Sequence, residues 1–153
     1  MTIGRIYTIP LTSISVTTDA DQDIFEMVPG SVRDIVLHGF SLTSAYTTDE
    51  RIPLRLLRRS TTGTGGSGAT EVPNHPGNTN TADCALNTLV TTPGTIGSIL
   101  AAWQWSQQGE LLYLPTPEMR PVAVKSGDRL CLHLNAALGG TRTWSGWVCW
   151  EEI

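Results

Sequence analysis

The feature of this sequence that most constrains its fold is a series of short segments in which apolar and polar residues alternate. Turn-forming residues separate the segments, and no apolar stripe of helical spacing continues long enough to indicate a long helix. Alternation with a period of two residues is typical of half-buried β-strands. About nine such strands joined by turns predict an all-β protein, a single β-sandwich of jelly-roll-like type.

The clearest strand is Val32–Ser44, in which we expect Val36, His38, Phe40 and Leu42 to share one face. The segment Thr95–Gln108 fits both an amphipathic helix and an alternating strand. Its glycines and paired tryptophans favour a strand from about residue 101, with a short helix as the alternative.

Three parts are expected along the 153 residues. Residues 1–17 are predicted to form an extended N-terminal arm, in which Pro10 would suit an edge strand. Residues 18–153 are predicted to form the sandwich domain. Within it, a Gly/Ser/Thr-rich loop is expected at residues 60–80, and a loop of that length is usually functional or mobile.

Composition argues against several classes of protein. The net charge is −4, so binding to nucleic acid gains nothing from counterion release. No apolar run of about 18 residues is present, which argues against a transmembrane helix. The first residues lack the apolar stretch of a secretory signal, so we expect synthesis in a cytoplasm.

No cofactor or metal site is expected. The stretch Gly63–Gly68 matches a dinucleotide-binding pattern, but the residues after it cannot begin a helix that would hold a pyrophosphate. Asp19, Asp21 and Asp23 resemble the start of a calcium loop, yet the glycine and glutamate that such a loop requires are missing. We interpret them as a solvated turn.

Catalysis is not expected either. The three histidines, His38, His75 and His133, are isolated in the sequence, and His38 and His133 are predicted to be hydrogen-bonded core or interface residues. A hydrolase would need one of them beside a nucleophile and a carboxylate. The three cysteines are interpreted as free thiols in a reducing compartment, with a Cys131–Cys149 bridge left open.

Arginine and tryptophan supply the candidate contact residues. Arg51, Arg55, Arg58 and Arg59 form a local basic cluster, expected to lie on solvated strand edges or to meet an acidic partner. All five tryptophans lie in the last third of the chain, and a sandwich of this size rarely buries five completely. Tryptophans left exposed would mark an interaction surface.

The order of these segments resembles the small β-sandwich decoration (cement) proteins of tailed-bacteriophage capsids. The resemblance covers nearly the whole chain as a pattern and includes no single diagnostic motif. The segments that carry it are an extended N-terminal stretch, Asp23–Met27, Val36–Ser44, Thr47–Glu50, Leu54–Ser60 with the Gly/Ser/Thr-rich stretch, Trp103–Trp105, Leu114–Glu118 and Gly146–Glu152.

The resemblance implies a virion structural protein on the capsid exterior that clamps the major capsid protein without chemistry. It implies a homo-oligomer, with a trimer favoured and a dimer possible. The segments Met1–Pro10 and Thr61–Pro76 are the expected contacts with the capsid, the first by adding a strand to a neighbour's sheet. The expected capsid-contact residues are Ile3, Arg5, Ile6, Tyr7 and Ile9, and the expected subunit-interface residues are Trp103, Trp105, Tyr113 and Arg120.

Two alternatives of a different kind remain open at this stage. A carbohydrate-binding module would need an exposed aromatic platform flanked by hydrogen-bonding side chains. A phage tail or fibre accessory protein of similar fold would share the same sequence pattern.

Overall fold

The computed structural model describes residues 4–153, which form two antiparallel β-sheets packed face to face. The predicted all-β sandwich is therefore confirmed. No helix in the described range is long and apolar enough to cross a bilayer.

One sheet, called sheet A, has β12 at its centre, paired with β1 on one side and β3 on the other. Two short strands, β9 and β10, pair with the far edge of β3, and β6 pairs with β1. The strands of sheet A are β1 (Arg5–Val16), β3 (Ile35–Ser44), β6 (Val72–Pro73), β9 (Leu111–Tyr113), β10 (Val122–Ala123) and β12 (Arg142–Glu152).

The other sheet, sheet B, has the strand order β5-β7-β2-β11-β4-β8. A one-turn 3₁₀ helix, Pro117–Met119, links β9 to β10 in sheet A. The strands of sheet B are β2 (Gln22–Val28), β4 (Arg51–Arg59), β5 (Ser67–Ala69), β7 (Ala85–Val90), β8 (Ile96–Ser106) and β11 (Arg129–Leu134).

The core lies between the sheets and is made by alternate residues of the long strands. In β11, Leu130, Leu132 and Leu134 belong to the core cluster, so Cys131 and His133 face the other way. The rings of Phe25 and Phe40 meet edge to face across the two sheets, with centroids 5.5 Å apart. Such alternation across two packed sheets is the arrangement that the sequence pattern predicts.

The predicted N-terminal arm is wrong from Arg5 onward, because this segment is strand β1 of the sandwich itself. It pairs with β12 from Arg5 to Val16, with one irregularity between Leu11 and Ile14. Tyr7, Ile9 and Leu11 are buried in the core. Alternating apolar residues can bury one face only if the strand joins a sheet, which explains why this segment is not free.

The predicted faces of β3 are correct only in part. Val36 and His38 were expected to share the face of Phe40 and Leu42, but Leu37 is the residue that is buried beside them. The register against β12 shifts at His38, where β3 carries one extra residue. Such a β-bulge moves every later side chain to the opposite face, and alternation alone does not reveal it.

The ambiguous segment is a strand, and β8 begins five residues earlier than position 101, at Ile96. The bridge left open between Cys131 and Cys149 does not form, because these residues belong to different sheets. All three cysteines are free.

The Gly/Ser/Thr-rich loop predicted at residues 60–80 contains two short strands. β5 pairs with β7 at one edge of sheet B, and β6 pairs with β1 at the neighbouring edge of sheet A. The segment Ser67–Pro73 therefore crosses from one sheet to the other. We call this side of the sandwich the closed side.

The opposite side is formed by β8 at the edge of sheet B and by β9 and β10 at the edge of sheet A. No described strand crosses between the sheets there. Arg58 of β4 links the two sheets there, since its Nε and Nη2 donate to the carbonyl oxygen of Val122 in β10 at 3.1 and 2.9 Å. We call this the open side.

Candidate interaction surface

The open side carries most of the exposed large apolar side chains of the described chain. Nine such residues are exposed, and six of them lie on β8 or on the segment that runs from β9 to Val124, one residue past β10. The six are Ile96, Ile99, Leu112, Leu114, Met119 and Val124. Exposed apolar groups gathered on one surface typically mark an interaction site.

An aromatic cluster closes the core where the two edges of the open side meet. Trp103 of β8 packs edge to face against Phe40 and Tyr113, with centroid distances of 5.8 and 5.5 Å. Both Trp103 and Tyr113 are half-buried, and burial raises the pKa of the Tyr113 hydroxyl. The structure thus brings two of the four expected subunit-interface residues together on the open side, and neither residue is fully buried.

Arg120, the third expected interface residue, lies beside β3 on the same side. Its Nη1 is 3.5 Å from Nε2 of His38, and that ring nitrogen is 3.1 Å from a carboxylate oxygen of Glu151. His38 is half-buried and occupies the bulge of β3, so the prediction of a hydrogen-bonded histidine is confirmed. Arg120 supplies a positive charge at the border of the apolar residues.

Trp105 is the fourth expected interface residue. The prediction that it lies at the surface is wrong, because Trp105 is buried. It packs edge to face on Trp144, and its indole N–H donates to the carbonyl oxygen of Gly109 at 2.8 Å. Trp144 and Trp150 are fully buried, as their shared face in the sequence suggests. Trp103 and Trp147 remain half-buried, so a tryptophan platform for a carbohydrate would have to use one of these.

The expected capsid-contact residues differ in how deeply their side chains are buried. Tyr7 and Ile9 are correctly placed on a strand but lie in the chain's own core, so their side chains are not free to touch a partner. Arg5 and Ile6 are half-buried, and Arg5 donates to Oδ1 of Asn80 at 3.1 Å. Ile3 lies outside the described residues.

The two expected contact segments lie side by side on the closed side. Tyr7 and Thr8 of β1 pair with β6, and Thr8 donates to Oδ1 of Asn74 at 2.6 Å. Val72 is 53% exposed, and the turn from Asn74 to Gly77 is also exposed. The closed side therefore offers a compact surface made from both segments.

A buried ionic network lies on the outer face of sheet B. Arg59 donates through Nε and Nη2 to both carboxylate oxygens of Asp23, at 2.9 and 2.8 Å. Nδ1 of His133 lies 3.0 Å from Asp23 and is nearly as close to Arg59. Burial lowers the pKa of Arg59, but its hydrogen bond and charge interaction with Asp23 outweigh burial and raise it.

Glu26 and Cys131 adjoin this network and are buried as well. Glu26 accepts a hydrogen bond from the Gly63 N–H at 2.9 Å through one oxygen, while its other oxygen has no partner among the described residues. Burial raises the pKa of both Glu26 and Cys131.

The atoms of Asp23, Glu26 and Cys131 lie within 4.8 Å of one another, close enough to hold a metal ion. Both oxygens of Asp23 are already bonded to Arg59, whose positive charge would repel a cation. The arrangement is therefore better explained as a structural ion-pair network.

A shallow depression of about 170 Å³ lies beside Tyr46 and Arg142. The guanidinium carbon of Arg142 is 3.7 Å from the centroid of the Tyr46 ring, and Nη2 donates to Glu50 at 2.9 Å. Arg142 is thus already stacked and paired, and the depression offers a ligand few free polar groups.

Searches against family models, curated proteins and solved structures found no match to this chain. The function is therefore argued from the surfaces that the chain itself presents.

Sequence reasoning named Tyr113 and Arg120 but missed the exposed apolar residues that surround them on the open side, which are Leu112, Leu114, Met119 and Val124. These residues are short strands and turns with weak periodicity, so no local pattern marks them. The one available signal was the run of apolar residues at Leu111–Leu114, followed by prolines that keep the segment at an edge.

Proposed function

We propose that this chain is a non-enzymatic virion structural protein. In this proposal it is a decoration protein that binds the major capsid protein on the exterior of a tailed-phage head and stabilises the shell. The observation that carries the proposal is the difference between the two sides of the sandwich. One side is sealed by a crossing segment, and the other exposes apolar side chains along unpaired strand edges.

A protein that joins other molecules needs at least two contact surfaces on a rigid body. In this proposal, copies of the chain associate through the open side, where Trp103, Tyr113 and Arg120 lie. The closed side attaches to the capsid through the exposed part of Ser67–Gly77 and the start of β1. Repetition over a capsid lattice would turn weak single contacts into stable attachment.

The non-enzymatic part of this proposal is supported by the contacts of the side chains that could act in catalysis. His133 and Asp23 are committed to Arg59, and the buried Cys131 thiol has a raised pKa. His75 is exposed, but its Nδ1 accepts the Gly77 N–H at 3.0 Å.

The test uses particles of the phage that encodes this chain, with its gene deleted. Purified protein is added to the heads, and bound protein is measured after sedimentation. We expect saturable binding to expanded heads and improved survival of the heads on heating. Absence of binding, or binding to tails alone, would overturn the proposal.

A matched pair of variants locates the contact. Val72→Lys places a charge on the closed side, whereas Val32→Lys alters an exposed valine in the turn between β2 and β3. We expect Val72→Lys to weaken head binding at least tenfold and Val32→Lys to leave it unchanged. Equal effects of the two variants would exclude the closed side as the capsid contact.

A further inference from the structure

Strand β8 is a long edge strand that is paired on one side only. Its 11 residues, Ile96–Ser106, pair with β4, and no described strand lies beyond it in sheet B. The edge of a sheet presents a row of unpaired N–H and C=O groups that can pair with another chain. At about 3.3 Å per residue, the edge is roughly 35 Å long.

Proteins usually protect such edges with charges, proline, irregular backbone or very short strands. The rest of this molecule does so. β1 beyond Thr8 contains Pro10 and the irregular Ser13, with φ of 50°. The remaining edge strands, β5, β6, β9 and β10, have two or three residues each.

Strand β8 has fewer of these protections. No charged residue and no proline occurs from Ile96 to Ser106. Two bulges, at Gly97 and Leu100, interrupt its first half, but Ala101–Ser106 pairs with β4 without a break. Ile96 and Ile99 are 51% and 54% exposed, so apolar side chains flank an available backbone edge.

We infer that β8 pairs antiparallel with β8 of a second copy of this chain, which makes a two-fold dimer with a continuous sheet across both subunits. A second copy is the partner that the strand's composition favours. Two-fold pairing sets the strand against itself, and a charge at or beside the two-fold axis would meet its own like charge, which is destabilising. A strand without charges avoids this cost.

The geometry also sets the number of subunits. Pairing of identical edges about a two-fold axis uses the same patch on both copies and closes at two. The exposed side chains of the neighbouring edge of sheet A, Leu112 and Leu114, lie on the same side and extend the contact beyond the backbone hydrogen bonds. The dimer does not depend on capsid binding and exists in solution without a capsid.

The experiment measures the mass of the purified full chain by light scattering and sedimentation equilibrium at concentrations up to about 100 μM, which detects a dimer of micromolar Kd. We expect twice the chain mass of 16.5 kDa. A monomer over the whole range would overturn the inference. A species of three times the chain mass would overturn it too, because two-fold strand pairing cannot build a trimer.

Two matched variants test whether β8 is the interface. Ile99→Lys charges the edge strand, and Val72→Lys charges an equally exposed position on the closed side, 53% against 54%. Ile99→Lys should raise the dimer Kd at least tenfold, while Val72→Lys should leave it unchanged. An unchanged Kd in Ile99→Lys, with wild-type circular dichroism, would overturn the inference.

Hydrogen exchange supplies a readout that needs no substitution. Amides of Ala101–Ser106 that face away from β4 should exchange more slowly as the wild-type concentration rises through the dimer Kd. Exchange that does not change with concentration in a dimeric sample would place the interface elsewhere. Because Val72→Lys is expected to impair head binding alone and Ile99→Lys to impair dimerisation directly, failure of this inference is distinguishable from failure of the proposed function.

Discussion

Arg59 and Asp23 form a two-bond ion pair that spans a whole strand. Arg59 lies on β4 and Asp23 on β2, and β11 runs between them. Nε and Nη2 of Arg59 donate to the two carboxylate oxygens, and the side chains are 2% and 0% exposed. The pair ties three strands of sheet B together at a site closed to water.

Removing one partner of this pair should destabilise the protein strongly. Arg59→Met leaves the Asp23 carboxylate buried without its countercharge, which typically costs about 3–5 kcal/mol. Urea unfolding measures the loss. Glu118→Gln is the control, since Glu118 is exposed and lies outside this network, so its loss should change stability little. A loss below about 1 kcal/mol in Arg59→Met would contradict this account of a buried pair.

Glu26 should make stability depend on pH in a direction opposite to that of a salt-bridged acid. Burial raises its folded-state pKa above the ordinary value of 4.5, so the protonated form is favoured in the fold. This contribution is fully present below pH 4.5 and is lost as pH rises through the folded pKa. Glu26→Gln keeps an oxygen that can accept the Gly63 N–H and removes the titration.

Wild type should therefore lose unfolding free energy relative to Glu26→Gln as the pH rises from about 4.5, because only the wild-type side chain ionises. It should become constant above the folded pKa. Parallel pH profiles for the two proteins would show that Glu26 titrates normally.

Close packing requires glycine at Gly94, which follows β7, but not at Gly68 of the Gly/Ser/Thr-rich segment. A Cβ on Gly94 would lie 1.9 Å from the carbonyl oxygen of Thr61, whereas a Cβ on Gly68 would meet nothing within 4 Å. Gly94→Ala should lower the free energy of unfolding by about 1–3 kcal/mol, the usual range for overpacking. Gly68→Ala should be neutral or slightly stabilising. Thermal unfolding of both variants distinguishes the sites, and equal stabilities would contradict the packing argument.

Gln107 should be far more important to stability than its neighbour Gln108. Gln107 is buried, accepts the Trp144 indole N–H at 2.9 Å and donates to Glu50 at 3.2 Å. Gln107→Leu leaves the Trp144 N–H without an acceptor, at a cost of about 1–3 kcal/mol. Gln108→Leu, at an exposed position, is the control. Urea unfolding followed by near-ultraviolet circular dichroism checks both, and similar midpoints would refute the difference.

The thiols should differ in reactivity. Cys84 and Cys131 are buried, and burial raises the pKa of both thiols, whereas Cys149 is half-buried on sheet A. Since the thiolate is the reactive form, a disulfide reagent should modify one thiol quickly in the native protein. Peptide mapping should identify Cys149. Rapid labelling of Cys131 would show that the outer face of sheet B opens readily.

Prediction from the sequence succeeded where a strand keeps a regular alternation. In β3, Phe40 and Leu42 were expected on one face, and both are buried in the core. It failed where an extra residue interrupts the alternation, as at His38 in β3. A bulge is defined by its pairing partner, which lies more than a hundred residues away in the chain.

The candidate surface was predicted less well than the fold. Three of the four expected interface residues lie on the open side, but Trp105, two residues from Trp103, is buried against Trp144. The sequence cannot distinguish these two tryptophans, because both face inward and their exposure depends on what covers each end of the strand.

The amino-acid pattern by itself determined that this chain forms strands and that one face of each is buried, since side-chain period is a local property of the backbone. Only the tertiary structure decided which edges remain unpaired. That β1 pairs along its length with β12, while β8 is left as a long edge strand, depends on pairing between distant segments. The free energy that favours this pairing comes from backbone hydrogen bonds between strands and from apolar surface that distant segments bury together. No single segment contains either contribution.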